Sequence, residues 1–135
     1  MTAVFVDTSA LYALLVSTDR WQGSALHTMR SLRRLDAELI TTSHVLVESY
    51  ALLGSRIGVH AVATLRDAIE PLLDVTWVDR DLHDRALDAV ISAGGRPGLV
   101  DATSFLVMRE RGIVSAFTFD RDFETAGFSL VTESD

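Results

Sequence analysis

The sequence predicts an α/β domain with a mostly parallel sheet and helices on both of its faces. Three observations carry this expectation. Short apolar runs rich in β-branched and aromatic residues recur at 2–6, 38–42, 75–78, 115–119 and 128–131. Between them lie longer stretches whose apolar residues fall at helical spacing. The 135 residues, 48% of them hydrophobic, supply one core of ordinary size and too little for two. Residues 1–135 are therefore read as a single domain.

Thr2-Ala3-Val4-Phe5-Val6 is the first strand, and Asp7-Thr8-Ser9 offers an N-cap to a helix opening at Ala10. Thr18 or Asp19 is placed to cap a second helix, in which Trp21, Ala25, Met29 and Leu32 share a face. Glu38-Leu39-Ile40-Thr41-Thr42 is the second strand. Ser43 is read as the cap of a helix over 44–56, with Val45, Leu46, Tyr50 and Leu53 inward. Gly58 breaks that helix, and an amphipathic helix over 59–69 stops before Pro71. Val75-Thr76-Trp77-Val78 is the third strand. A helix over 82–91 ends at Gly94-Gly95, and another runs over 99–110 to Gly112. Residues 115–119 form the fourth strand, 123–125 a short helical turn and 128–131 the fifth strand; 132–135 read as a frayed polar end.

Composition narrows the chemistry. With no cysteine, the chain has no disulfide, thiolate nucleophile or zinc–thiolate site, and it suits a reducing compartment. The opening residues lack the features of a secretory signal, and no apolar run approaches the roughly 18 residues of a membrane span. Cytoplasmic location without membrane attachment is the expectation. All 12 basic residues are arginine, which excludes a P-loop lysine and Schiff-base chemistry. A net charge of −7 argues against coating nucleic acid through a basic face. It leaves room for a nuclease, because bound cations reverse the local sign of an acidic pocket.

Four carboxylates stand out by position. Asp7 follows the first strand and Asp120 the fourth, so both belong at the carboxyl edge of a parallel sheet, where ligands bind. Glu48 and Asp101 lie on helices among apolar neighbours, a setting closer to the core than to a solvated face. Each has a simpler explanation when taken alone. Asp7 serves as an N-cap, Asp101 as a first-turn acid on a helix dipole, and Asp120 or Asp122 as the cap of the 123–125 turn. Glu48 resists such explanation: it is five residues past Ser43 rather than three, and positions 44 and 52 hold no cation partner. Hard oxygen ligands without histidine or cysteine suit Mg²⁺ or Mn²⁺ rather than zinc. The four histidines form no ligand motif, and His44 reads as structural or gating.

In four segments the chain resembles the PIN-domain family, and within it the VapC-type toxins of prokaryotic toxin–antitoxin pairs. They are Val4-Phe5-Val6-Asp7-Thr8-Ser9-Ala10, the run from Thr41 to Glu48, Leu99-Val100-Asp101-Ala102, and the run from Phe117 to Phe123. Their order and separation fit, and the resemblance covers essentially the whole chain. It implies a three-layer α/β/α sandwich whose five parallel strands run in the order 3-2-1-4-5. It also implies RNA phosphodiester hydrolysis with one or two Mg²⁺ or Mn²⁺ ions, leaving 5′-phosphate and 3′-hydroxyl ends. Asp7, Glu48, Asp101 and Asp120 are then the catalytic, metal-binding quartet, and Ser9 supports Asp7. Asp122 stays open between auxiliary ligand, water-mediated contact and cap. The implied partners are RNA, a cognate VapB-type antitoxin and a second copy in a homodimer. Arg20, Arg80, Arg96 and Arg121 are candidates for attracting RNA, and an apolar groove near Tyr12 or Trp21 for the antitoxin.

Phosphotransfer domains also carry aspartate after a first strand. Receiver domains need a lysine that this chain lacks, and dehalogenase-type enzymes need Asp-x-Asp where Ser9 stands. A PIN-like interaction module with negligible activity is the non-enzymatic alternative, and intact acids at all four positions count against it.

Overall fold

The computed structural model describes residues 2–132. Its sheet has five parallel strands, β1 (Ala3–Val6), β2 (Glu38–Thr42), β3 (Asp74–Thr76), β4 (Ser115–Phe117) and β5 (Ser129–Leu130). They lie in the order β3-β2-β1-β4-β5. Val4, Phe5 and Val6 are all buried although successive side chains point to opposite faces. Both faces of the sheet are therefore covered, the arrangement that purely parallel sheets require.

The covering helices are α1 (Thr8–Leu15), α2 (Gln22–Arg34), α3 (Ser43–Arg56), α4 (Val59–Thr64), α5 (Arg80–Ser92), α6 (Leu99–Arg111) and α7 (Asp122–Thr125). Among the described residues, no helix is long and apolar enough to cross a membrane. Phe5, Phe105, Phe123 and Phe128 form a chain of ring contacts from the central strand to α6 and the segment after it, with centroids 4.9–6.5 Å apart. These rings fix α7 against the sheet. Gly112 closes α6 in the left-handed region at φ 67°, which glycine alone adopts freely.

Several boundaries differ from the sequence expectation, each for a local reason. The cap of α3 is Thr42, whose hydroxyl accepts from Val45 N, while Ser43 accepts from Val78 N across the sheet. Trp77 and Val78 accordingly leave the ladder, and β3 starts earlier, at Asp74. Trp21 rather than Thr18 or Asp19 occupies the N-cap of α2; Asp19 instead accepts from Trp21 N in the preceding turn. The expected helix over 59–69 stays α-helical only to Thr64, widens into a π turn over Leu65–Ile69 and tightens into a 3-10 turn at Glu70–Leu72 around Pro71. β4 ends at Phe117, two residues early, because Thr118 turns into the site described below. Asp122 is not the cap of α7, which begins after Arg121. Of the expected frayed end, Thr132 donates to Thr118 O at 2.6 Å, and residues 133–135 lie outside the described residues.

Candidate active site

The strand order places a switch between β1 and β4, the two strands from which the chain departs in opposite directions. Their carboxyl ends are the expected ligand crevice of such a sheet. Val6 pairs with Phe117, so Asp7 and Thr118 emerge side by side at that edge. Asp7 N donates to Phe117 O at 3.1 Å, which completes the alignment.

The Asp7 carboxylate is buried and held by one of its oxygens. Oδ2 accepts from Ser9 Oγ and Thr118 Oγ1, each at 2.9 Å, and more weakly from Ser9 N at 3.4 Å. Each hydroxyl has a single proton. With both protons directed to Asp7, the 3.1 Å approach between Ser9 Oγ and Thr118 Oγ1 carries none and is a contact only. The same hydroxyls accept backbone N–H groups, Phe119 N at Ser9 and Asp120 N at Thr118. Ser9 thus holds the Asp7 carboxylate by a hydroxyl hydrogen bond, and Thr118 is a second such donor that sequence reasoning missed. Asp7 also caps α1 through its bond from Ser9 N, so capping and a place in the acid cavity coexist. Burial pushes its pKa up, and the hydrogen bonds from Thr118 and Ser9 oppose that shift.

Asp101 enters from the first turn of α6, three residues past the Gly98 cap. Burial, followed by the charges of Asp7, Asp120, Glu48 and Asp122, pushes its carboxyl up to about 7. All four other acids therefore act on the same group. Glu48 comes from the middle of α3 and lines the same cavity. Asp120 Oδ1 accepts from Asp122 N at 2.9 Å, which fixes the turn that carries both acids. One carboxylate oxygen from each of Asp101, Asp120 and Asp122 lies within 4.8 Å of the other two. Asp122 also faces a neighbouring, more apolar cavity lined by Arg96, Phe105 and Arg109. It does not line the cavity that holds Asp101 and Asp120.

The acid cavity measures about 390 Å³ and brings together Asp7, Glu48, Asp101 and Asp120. Sequence reasoning did not assign Asp19, Arg56 or Phe119 to it, and it took Trp21 and Tyr12 for antitoxin-groove or core residues. Arg56 lies eight residues past Glu48 on α3, with Leu52 between them on the same wall. Its guanidinium is 5.8 Å from the Tyr12 ring centre. Of the arginines expected to attract RNA, Arg80 pairs with Asp84 and Arg121 with Glu124. Arg20 lies over Trp21, and Arg96 lines the other cavity. His44 meets His83 edge to face at 6.3 Å and does not line the acid cavity; burial and His83 lower its pKa.

The donor set fits a hard divalent cation. The cavity offers carboxylate oxygens and hydroxyls and no nitrogen or sulfur ligand of the kind zinc prefers. The buried Thr8 Oγ1 in its wall has no hydrogen-bond partner. Converging acids of this kind do not all ionise without a positive charge among them.

Comparison with known proteins decides the family, because the sequence matches the PIN domain over residues 4–129. The chain belongs to the PIN-domain family. This PIN domain is 38% identical over 127 residues to the 23S rRNA-specific endonuclease VapC20 of Mycobacterium tuberculosis, a span of 93% of this chain and 95% of that protein. The crystal structure of VapC20, a sarcin–ricin loop cleaving toxin, aligns with a TM-score of 0.81 at 37% identity, covering 93% of this chain and 95% of that one. FitAcB from Neisseria gonorrhoeae aligns with a TM-score of 0.66 at 14% identity, over 94% of this chain and 95% of that one. PAE2754 from Pyrobaculum aerophilum aligns at 0.65 with 22% identity, over 96% and 90%. These last two share the fold. The resemblance to VapC-type PIN domains and the strand order 3-2-1-4-5 are borne out.

Proposed function

We propose that this PIN domain is a VapC-type endoribonuclease toxin that hydrolyses RNA phosphodiester bonds, with Asp7, Glu48, Asp101 and Asp120 as its metal-binding quartet. The observation that carries this reading is the convergence of Asp7, Glu48, Asp101 and Asp120 on one cavity, with oxygens of Asp101 and Asp120 within 4.8 Å of each other; burial and the surrounding acids push the Asp101 carboxyl up to about 7. A purely structural acid gains nothing from that setting. A cation ligand does, because the cation offsets the repulsion.

Mg²⁺ or Mn²⁺ is the ion that the all-oxygen donor set favours, one or two in number. Such an ion lowers the pKa of a water that it holds and neutralises charge on a phosphate. The chain's own residues do the positioning. Ser9 and Thr118 hold Asp7 through Oδ2. The Asp120 turn is fixed through Asp122 N, which leaves the Asp122 carboxylate as an auxiliary acid beside Asp101 and Asp120. Arg56 supplies positive charge on the cavity wall, where RNA phosphate approaches.

The identity to VapC20 over nearly the whole of both chains supports 23S rRNA as the substrate class. It also supports inhibition by a cognate VapB-type antitoxin, one basic side chain of which enters the acid cavity. Residues 1–135 act as one domain, paired in a homodimer, in the cytoplasm. The test is incubation of purified protein with 23S rRNA in Mg²⁺ or Mn²⁺. Wild type is expected to release fragments with 5′-phosphate ends, and EDTA or Asp7→Asn to abolish them. Equal cleavage with and without EDTA, or by both proteins, rejects the reading.

A further inference from the structure

The wall of the acid cavity also holds an aromatic stack that the hydrolytic reading does not use. Trp21 and Phe119 lie nearly parallel, with centroids 5.1 Å apart and planes inclined by 10°. Both line the cavity with Asp7, Glu48, Asp101 and Asp120. Trp21 remains 40% exposed, so its ring is accessible from solvent. The Arg20 guanidinium lies over it, 4.6 Å from its centre.

The stack is held in place rather than draped on the surface. Asp19 Oδ1 accepts from Trp21 N at 2.8 Å, and Asp19 N donates to Val16 O at 3.0 Å, so the turn before α2 is closed by hydrogen bonds. Phe119 is anchored through its N–H to Ser9 Oγ, the hydroxyl that also holds Asp7. Ring and carboxylate thus share one support.

We propose that the Trp21–Phe119 stack is a nucleobase platform on which one unpaired base of the RNA takes the place of the Arg20 guanidinium, while the adjoining phosphate lies against the acid cluster. This deepens the nuclease reading and rests on it. The chemistry of the wall selects the ligand. A flat π surface matches the face of a base, and Arg56, with Arg20 once it is released from the ring, matches the phosphates on either side of it. A base inside a duplex is stacked on its neighbours and does not reach such a platform, so the site selects single-stranded or looped RNA. Every base has a π face, so the platform adds affinity and orientation with little preference among bases.

The test uses the full chain carrying Asp101→Asn to stop cleavage and Trp77→Phe to leave Trp21 as its one tryptophan. An oligoadenylate octamer and a ribose-phosphate octamer without bases, each labelled with fluorescein at its 5′ end, are titrated in Mg²⁺, and binding to every variant is read by fluorescein anisotropy. The oligoadenylate is expected to quench Trp21 fluorescence. Trp21→Ala is expected to weaken its binding about tenfold or more, with no change for the base-free octamer, whereas Trp21→Phe retains most of the affinity. The platform is overturned if Trp21→Ala weakens both octamers alike or neither, or if the octamer binds without altering Trp21 emission. Should Trp21→Ala fail to fold, the emission change and Trp21→Phe still decide. Cleavage of 23S rRNA by wild type runs in parallel. Intact cleavage with a failed octamer result removes the platform alone, and loss of cleavage together with all RNA binding removes the nuclease reading and the platform with it.

Discussion

Thr118 Oγ1 donates to Asp7 Oδ2 at 2.9 Å across 111 positions of the chain, joining the ends of the two central strands through a buried carboxylate. The bond accounts for the early end of β4 and for the orientation of the most buried acid of the site. Thr118→Val keeps the shape and removes the hydroxyl, leaving Asp7 one donor short and Asp120 N without its acceptor. The expected cost is about 1–3 kcal/mol of stability, measured by urea unfolding, and roughly 10–100-fold in activity, the usual effect of losing a group that orients a ligand.

The acids set a pH dependence that metal reverses. Asp101 moves from its ordinary 3.8 to about 7 in the fold, and Asp7 moves in the same direction. Between those values the folded protein keeps a proton that the unfolded chain has lost. Stability therefore falls as pH rises through roughly 4 to 7. Thermal unfolding in EDTA is expected to show a declining Tm over that interval. Added Mg²⁺ is expected to raise Tm more at pH 8 than at pH 5, because only ionised carboxylates bind it. Equal stabilisation at the two pH values contradicts the assignment.

Asp101→Asn separates function from stability. It is expected to abolish cleavage, yet to raise the Tm of metal-free protein at pH 8 by removing a charge crowded by four others. A variant that loses both activity and stability argues for a structural Asp101. Asp122→Asn is the milder counterpart. Asp122 has an oxygen within 4.8 Å of Asp101 and Asp120 but lines the neighbouring cavity rather than the acid cavity, so a partial loss, recovered at higher Mg²⁺, is expected in steady-state assays.

Phe123 links the site to the core. It is fully buried between Phe5, Phe105 and Phe128, and it directly follows the Asp120–Asp122 turn. Phe123→Ala is expected to cost about 3–5 kcal/mol. Phe123→Leu, which leaves a smaller void, is expected to cost less and to keep measurable cleavage. Chemical denaturation of both variants checks the order.

Much of this was legible in the residue pattern, and the gaps have physical causes. The five apolar runs marked the strands, and the position of Asp7 after the first of them marked the site edge. The relative order of the strands is a long-range property that periodicity does not encode, and it came from the family resemblance. Thr118 was hidden because threonine between two phenylalanines reads as one more β-former, although its hydroxyl turns out of the ladder. Arg56 was hidden by spacing: partners were sought one helical turn from Glu48, and Arg56 lies two turns away on the same wall. Trp21 looked like the start of a core stripe, because helical periodicity does not separate a buried first position from one that faces a cavity. Glu48, which no cap or ion pair explained, does line the acid cavity.

The most direct test of the central claim is sequencing of RNA 5′ ends in cells after induction of wild type or Asp101→Asn. A functional metal-dependent ribonuclease predicts a recurrent 5′-phosphate end in 23S rRNA that appears with wild type and is absent with Asp101→Asn. Identical end profiles from the two proteins would contradict it.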